Sequence, residues 1–235
     1  MKATYWISSL WLLLLMPILG IGQHQSQGKI VFERRVNVFK KYPFATKWMK
    51  EKDRIKKTEF FLYFNDSTSI FKPSEFEENT WMTTENTIYR DLNTEKFYGL
   101  KDIAGTITHV DDSLHKRDWK ITDSKRNIAG YSCRKAYWEV NDSLRIYAWY
   151  AEEIIPSIGP ETFEGLPGAI LGLAQEDGSV IYFAKEVVFE EPELKEFEIK
   201  RSKKAKTLSE IYQEVKLRNQ NAKWWKIDED EFRIW

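Results

Sequence analysis

Between residues 29 and 188 the chain falls into eleven short runs rich in aromatic and β-branched side chains: 29–39, 58–64, 68–72, 87–91, 96–101, 105–110, 119–122, 132–140, 144–151, 169–174 and 180–188. Neighbouring side chains on a strand point to opposite faces, so the apolar and polar alternation within these runs predicts strands with one buried face. The intervals are short and mostly of turn composition, which makes each run the antiparallel neighbour of the last. The expected fold is mainly β (β-rich α+β), an antiparallel and strongly curved sheet forming an open or half barrel. Aromatic residues make up 15% of the chain, and flat rings pack well on a pleated surface. A single cysteine, Cys133, excludes an internal disulfide, so stability must come from the core.

The two ends differ from this body. Residues 1–22 carry Lys2, an apolar run interrupted by Pro17, and small residues at Gly20 and Gly22, the pattern of a secretory signal peptide cleaved after Gly22. The run is short for a membrane span, and no second one of about 20 residues follows, so no transmembrane span is expected in the mature chain. No cysteine lies near the cleavage point, so the protein is not expected to be a lipoprotein. Cleavage leaves Gln23, which can cyclise, at the new terminus. It also leaves 35 basic and 36 acidic residues, which gives no electrostatic case for nucleic acid. The basic run at 201–206 follows an acidic stretch and reads as a solvated connector.

At the other end, Thr207 and Glu210 match a capping box, and Leu208, Ile211, Val215 and Leu217 follow at near-helical spacing, predicting a C-terminal helix from Leu208 to about Asn219. The acidic, aromatic tail at 224–235 is expected to dock on the domain or on a partner. The organisation is therefore a signal peptide (1–22), a β-rich domain (23–200), and a C-terminal helix with its tail (201–235).

Gly165-Leu166-Pro167-Gly168 marks an abrupt change from polar loop to apolar run. Pro167 presets φ and Gly168 tolerates positive φ, so residues 166–169 predict a type II turn with a strand starting at Ala169. The order and spacing of 119–136, Tyr147-Ala-Trp-Tyr150, Ile154-Ile-Pro156, Gly159-Pro160 and Gly165–Gly168 resembles the GLPGLI family of exported Bacteroidetes proteins, a Porphyromonas-type family of unknown function. This chain has Ala169-Ile170 where the family has Leu-Ile. The likeness is specific across 119–188 and weaker towards the N-terminus. It implies export to the periplasm, outer membrane or exterior, without a reaction.

No reaction emerges from the residues either. The chain contains no Gly-x-Ser-x-Gly, His-Glu-x-x-His or phosphate loop, and the adjacent Glu152 and Glu153 point to opposite faces of a strand. No catalytic residue and no cofactor is assigned. Cys133 reads as a small buried hydrophobe, the alternative being a reactive thiolate. His109, Asp111 and His115 form the one cluster that could meet around a metal, the basis of an alternative reading as an exported hydrolase or metal-binding protein.

Three Asp-Ser patterns ending at Ser67, Ser113 and Ser143 read as hairpin turns. They also resemble acceptors for O-glycosylation in exported Bacteroidetes proteins. The leading expectation is a non-enzymatic envelope protein whose curved sheet encloses an apolar hollow. Loop 152–168 is expected at its rim, and Tyr147, Trp149, Tyr150, Phe163 and Leu166 are expected to contact a lipid, a peptide or an envelope protein. The pattern looks like the half-barrel of periplasmic lipoprotein carriers. A third reading is an accessory subunit of an outer-membrane assembly.

Overall fold

A computed structural model describes residues 26–75, 83–103, 106–221 and 229–234. The expected signal peptide and the tail tryptophans Trp224, Trp225 and Trp235 lie outside these residues. Eleven strands form a single sheet: β1 (Gly28–Asn37), β2 (Ile55–Phe64), β3 (Thr68–Pro73), β4 (Thr87–Asp91), β5 (Lys96–Ile103), β6 (Thr106–Ser113), β7 (Lys120–Ile128), β8 (Tyr131–Asn141), β9 (Leu144–Ala151), β10 (Ala169–Gln175) and β11 (Val180–Val188). The spatial order is β6-β5-β4-β3-β2-β1-β11-β10-β9-β8-β7, with every pair antiparallel. Two meanders thus meet where β1 pairs with β11. The sheet remains open between β6 and β7, although these strands are consecutive in sequence.

All eleven expected strands are present. The largest boundary difference is β7, which runs to Ile128 through the polar stretch 123–127. An edge strand needs little apolar surface, and β7 is held to β8 by a tight hairpin at Ala129 (φ 50°) and Gly130 (φ 90°), the backbone of a primed turn. Of the three Asp-Ser turns, those at Ser67 and Ser143 join β2 to β3 and β8 to β9, with Asn65 and Asn141 accepting from the backbone. Ser113 is instead the last residue of β6. There Asp112 Oδ2 accepts from the Leu208 N–H, so its carboxylate serves the C-terminal helix rather than a turn.

One apolar core spans the sheet and fills its inner face, from Ile30, Phe32, Leu62 and Phe71 through Ile88, Tyr182 and Leu173 to Ile146. Phe60 and Phe71 stack with ring centroids 4.7 Å apart and Tyr182 packs on both edge-on. The expected apolar hollow is occupied: Ile154, Ile158, Phe163 and Leu166, from the loop expected at the rim, lie inside the core. The C-terminal part closes over the same core. After the one-turn helix α1 (Val38–Lys41) that follows β1, helix α2 (Leu208–Arg218) carries both halves of the capping box and buries Leu208, Ile211 and Val215. Helix α3 (Glu229–Ile234) adds Ile234, and its Phe232 packs on Tyr212. Among the described residues no helix is long and apolar enough to cross a membrane.

Candidate functional site: a clamped loop and an aromatic outer face

The loop between β9 and β10 is fixed by side chains reaching in from β4 and from the connection between β6 and β7. Arg90 donates to the Gly159 carbonyl at 2.7 Å, the Phe163 carbonyl at 3.0 Å and Ser69 Oγ at 3.0 Å. Arg117 holds the Thr162 carbonyl and hydroxyl, both at 3.0 Å, and Trp119 Nε1 holds the Glu164 carbonyl at 2.8 Å. Each bond satisfies a polar group that the core would otherwise strand. Burial pulls the pKa of Arg90 and Arg117 down to about 10, which leaves both charged at physiological pH. Burial also raises the Glu164 pKa, against the pull of Arg90 and Arg117.

The turn at Gly165–Gly168 differs from expectation. A type II turn would pair Ala169 N–H with the Leu166 carbonyl; instead Gly168 N–H bonds Leu166 O at 2.8 Å and Ala169 N–H bonds Ile154 O at 3.0 Å. The result is a three-residue turn centred on Pro167. Gly168 (φ 142°) is required because its Cα presses on the Ala151 backbone, where a Cβ would meet the carbonyl oxygen at 2.1 Å. The strand does begin at Ala169.

Beneath this loop lies a polar cluster that no sequence motif announced. Glu161 is buried in the left-handed region (φ 54°), where a non-glycine residue is strained. Its Oε1 accepts from Tyr182 OH at 2.8 Å and its Oε2 from Asn86 Nδ2 at 2.9 Å. Burial, reinforced by Glu161, pushes the Tyr182 hydroxyl pKa well above its ordinary value. Arg34 donates to the Thr83 carbonyl at 3.0 Å and also to that of Thr84. Lys101 is 1% exposed and its Nζ has no hydrogen-bond partner among the described residues. The signal available in the sequence was positional: Arg34, Arg90 and Lys101 each stand two residues from an inward-facing position, at Phe32, Ile88 and Gly99.

The outer face of β7–β11 carries a different surface, in which cations alternate with half-buried rings. Lys135 Nζ sits 4.0 Å from the Tyr147 ring centroid, and the Arg126 guanidinium lies 4.9 Å from Phe183 and 5.8 Å from Trp149. Arg145 and Lys120 flank Tyr137. A groove of about 330 Å³ runs between Thr122, Ser124, Lys135, Tyr137, Arg145 and Tyr147. Of the five expected contact residues, Tyr147 and Trp149 lie on this face. Tyr150, Phe163 and Leu166 are at most 2% exposed inside the core, so they cannot touch an external partner in this conformation and the five do not form one surface.

The remaining candidates are separated. His109 Nδ1 pairs with Tyr98 OH at 2.7 Å, whereas His115 faces Trp138; Asp111 is exposed on β6. Among the described residues no group of three or more His, Cys, Asp or Glu side chains could hold a metal ion. Ser67, Ser113 and Ser143 are all exposed. Cys133 is fully buried and burial pushes its thiol up to about 11. Because the folded thiol stays protonated through neutral pH, iodoacetamide at pH 8 should label the native protein far more slowly than the urea-unfolded chain, where the pKa returns to its ordinary range. Equal labelling rates would refute that burial.

A model of a family described as a protein of unknown function (Porph_ging) matches residues 137–172. That segment runs from β8 to the start of β10 and contains the clamped loop. A Porphyromonas-type family of unknown function is thus supported over this stretch, while the GLPGLI name rests on the motif resemblance. No curated protein matches the chain. Two structures of PNGF-II, in C2 and P21 space groups, superpose with a TM-score of 0.56 at 15% and 14% identity, covering 81% of this chain in each case. The match spans only 32% and 33% of the PNGF-II chains, so what is shared is the fold of one part of that protein. An uncharacterized conserved protein from Thermus thermophilus aligns over 78% of this chain and 90% of its own, with 5% identity and a TM-score of 0.41.

Proposed function

We propose that this is an exported, non-enzymatic cell-envelope protein that binds an acidic segment of a protein partner across the outer face of β7–β11. The observation that carries this reading is the ladder of Lys120, Tyr137, Arg145, Tyr147, Lys135, Trp149, Arg126 and Phe183. Half-buried rings supply apolar contact without further ordering, and the cations beside them favour carboxylates. Glu139 and Glu176 neutralise Arg145 and Lys120, which leaves Lys135, Arg126 and Lys125 outside any ion pair among the described residues. A lipid chain in the sheet interior is disfavoured because the protein's own loop fills that space. Export rests on the pattern of residues 1–22 and on the motif resemblance.

The test is titration calorimetry of the mature protein with a short Glu- and Tyr-rich peptide, alongside its Gln-substituted counterpart. Replacing Lys135 and Arg126 together by glutamate should weaken binding at least about tenfold, and added salt should weaken it for the wild type. Unchanged affinity in that variant, or equal affinity for the two peptides, would discard the outer face as the site.

A further inference from the structure

Among the described residues, Lys101 is the one buried cation of the inner cluster with no polar atom to hold. Arg34, Arg90 and Arg117 each clamp backbone carbonyls. Lys101 Nζ has no hydrogen-bond partner among the described residues, and the residue is 1% exposed. Its position is informative. Thr87 pairs with Leu100 across β4 and β5, so the next step of the antiparallel register sets Asn86 opposite Lys101, and both are 1% exposed.

Asn86 is itself gripped at both ends of its amide. Its Oδ1 accepts from the Asp102 backbone N–H at 3.2 Å, and its Nδ2 donates to Glu161 Oε2 at 2.9 Å. The partners fix the amide's orientation, since only the oxygen can accept from a backbone N–H and only the nitrogen can donate to a carboxylate. Tyr182 OH holds the other carboxylate oxygen of Glu161 at 2.8 Å.

These are the parts of an acyl transfer: an amine, a polarised carbonyl, a donor at its oxygen and a carboxylate at its leaving nitrogen. We propose that Lys101 and Asn86 form an intramolecular isopeptide bond, with Glu161 as the proton carrier. The lysine Nζ attacks Asn86 Cγ, and the charge that develops on Oδ1 is met by the Asp102 N–H. Glu161 takes a proton from Nζ and delivers it to Nδ2. The Cγ–Nδ2 bond breaks, ammonia leaves, and the Cγ–Nζ amide remains. One bond is exchanged for another, so the step needs no oxidant, metal or cofactor.

Two further observations favour it. Burial lowers the Lys101 pKa, opposed by Glu161 and reinforced by Arg117, which increases the neutral nucleophilic amine. Glu161 holds its carboxylate against Asn86 from a left-handed backbone conformation (φ 54°), the kind of strain that concentrates at functional sites. The bond would tie β4 to β5 beside the open edge of the sheet, in a chain whose single cysteine allows no internal disulfide.

Mass spectrometry of the denatured full-length mature protein, followed by tryptic mapping, decides the matter. The expected result is an intact mass lower by one ammonia, resistance of Lys101 to trypsin, and a branched peptide joining Lys101 to Asn86. Cyclisation of an N-terminal Gln23 would also release ammonia, so the loss must map to the branched peptide. Asn86→Asp should lose water in place of ammonia and still cross-link, whereas Lys101→Arg and Glu161→Gln should leave Asn86 unlinked. Recovery of Asn86 in a linear peptide with normal cleavage after Lys101 in the wild-type protein would overturn the proposal. That reading needs no variant to fold.

Discussion

Arg90→Ala should destabilise the protein by about 4 kcal/mol, a large part of the 5–15 kcal/mol or so that holds a typical domain folded. The guanidinium is fully buried and donates to the Gly159 and Phe163 carbonyls and to Ser69 Oγ. Truncation takes a charged donor away from the Gly159 and Phe163 carbonyls, at roughly 1–3 kcal/mol each, and opens a cavity where the side chain lay. Removing a buried charge recovers part of its desolvation cost, which keeps the loss below the sum of these effects. Lysine should rescue little, because one ammonium cannot reproduce a planar fork aimed at three acceptors. Arg145→Ala is the control: it removes contacts to Glu139, Glu176 and Tyr147, yet the side chain is 36% exposed and water can replace most of them, so the loss should be far smaller. Urea unfolding followed by tryptophan fluorescence measures both. An Arg90→Ala protein within about 1 kcal/mol of wild type would show that the loop does not depend on its clamp.

The clamp explains which parts of the molecule could be read from the chain. Period-two alternation marked most of the strands because they bury one face, whereas β10 is buried on both faces and β7 exposes nearly its whole length; the capping box marked α2 because Thr207 and Glu210 interact within four residues. Such signals are local. The pairing of β1 with β11 is set by the whole meander, and no local pattern contains it. Arg34, Asn86, Arg90, Lys101, Arg117 and Glu161 acquire their roles only when the fold brings segments far apart in sequence together at one loop. Asn86 and Glu161, for example, are 75 residues apart. In the sequence, an inward arginine between apolar positions resembles an irregularity in a strand. Tyr147 and Trp149 were legible as surface aromatics because each alternates with a core residue, Ile146, Ala148 or Tyr150. The burial of Phe163 and Leu166 was not legible, because loop residues have no periodicity to show which way they face.

The same limit applies to Gly168, where the sequence supplies the positive φ but not the close backbone approach that the structure adds to it. Gly168→Ala should cost about 4 kcal/mol, and its comparison with Gly130→Ala separates two effects that positive φ alone would merge. Both glycines have positive φ, 142° and 90°. A side chain at such an angle costs roughly 1–3 kcal/mol from local strain. At Gly130 that is the whole effect, since an added Cβ would meet nothing within 4 Å. At Gly168 the Cβ would lie 2.1 Å from the Ala151 carbonyl oxygen and 3.0 Å from Glu152 Cα, both backbone atoms that cannot rotate away. Relief requires β9 and β10 to separate where Ala169 pairs with Ala151, adding a further 1–3 kcal/mol or so of the kind that overpacked cores show. Thermal or urea unfolding of the two single variants should therefore place Gly168→Ala well below Gly130→Ala. Equal losses would mean that the loop yields at Ala151 without cost, and that the Ala169 end of β10 is not held as the structure describes.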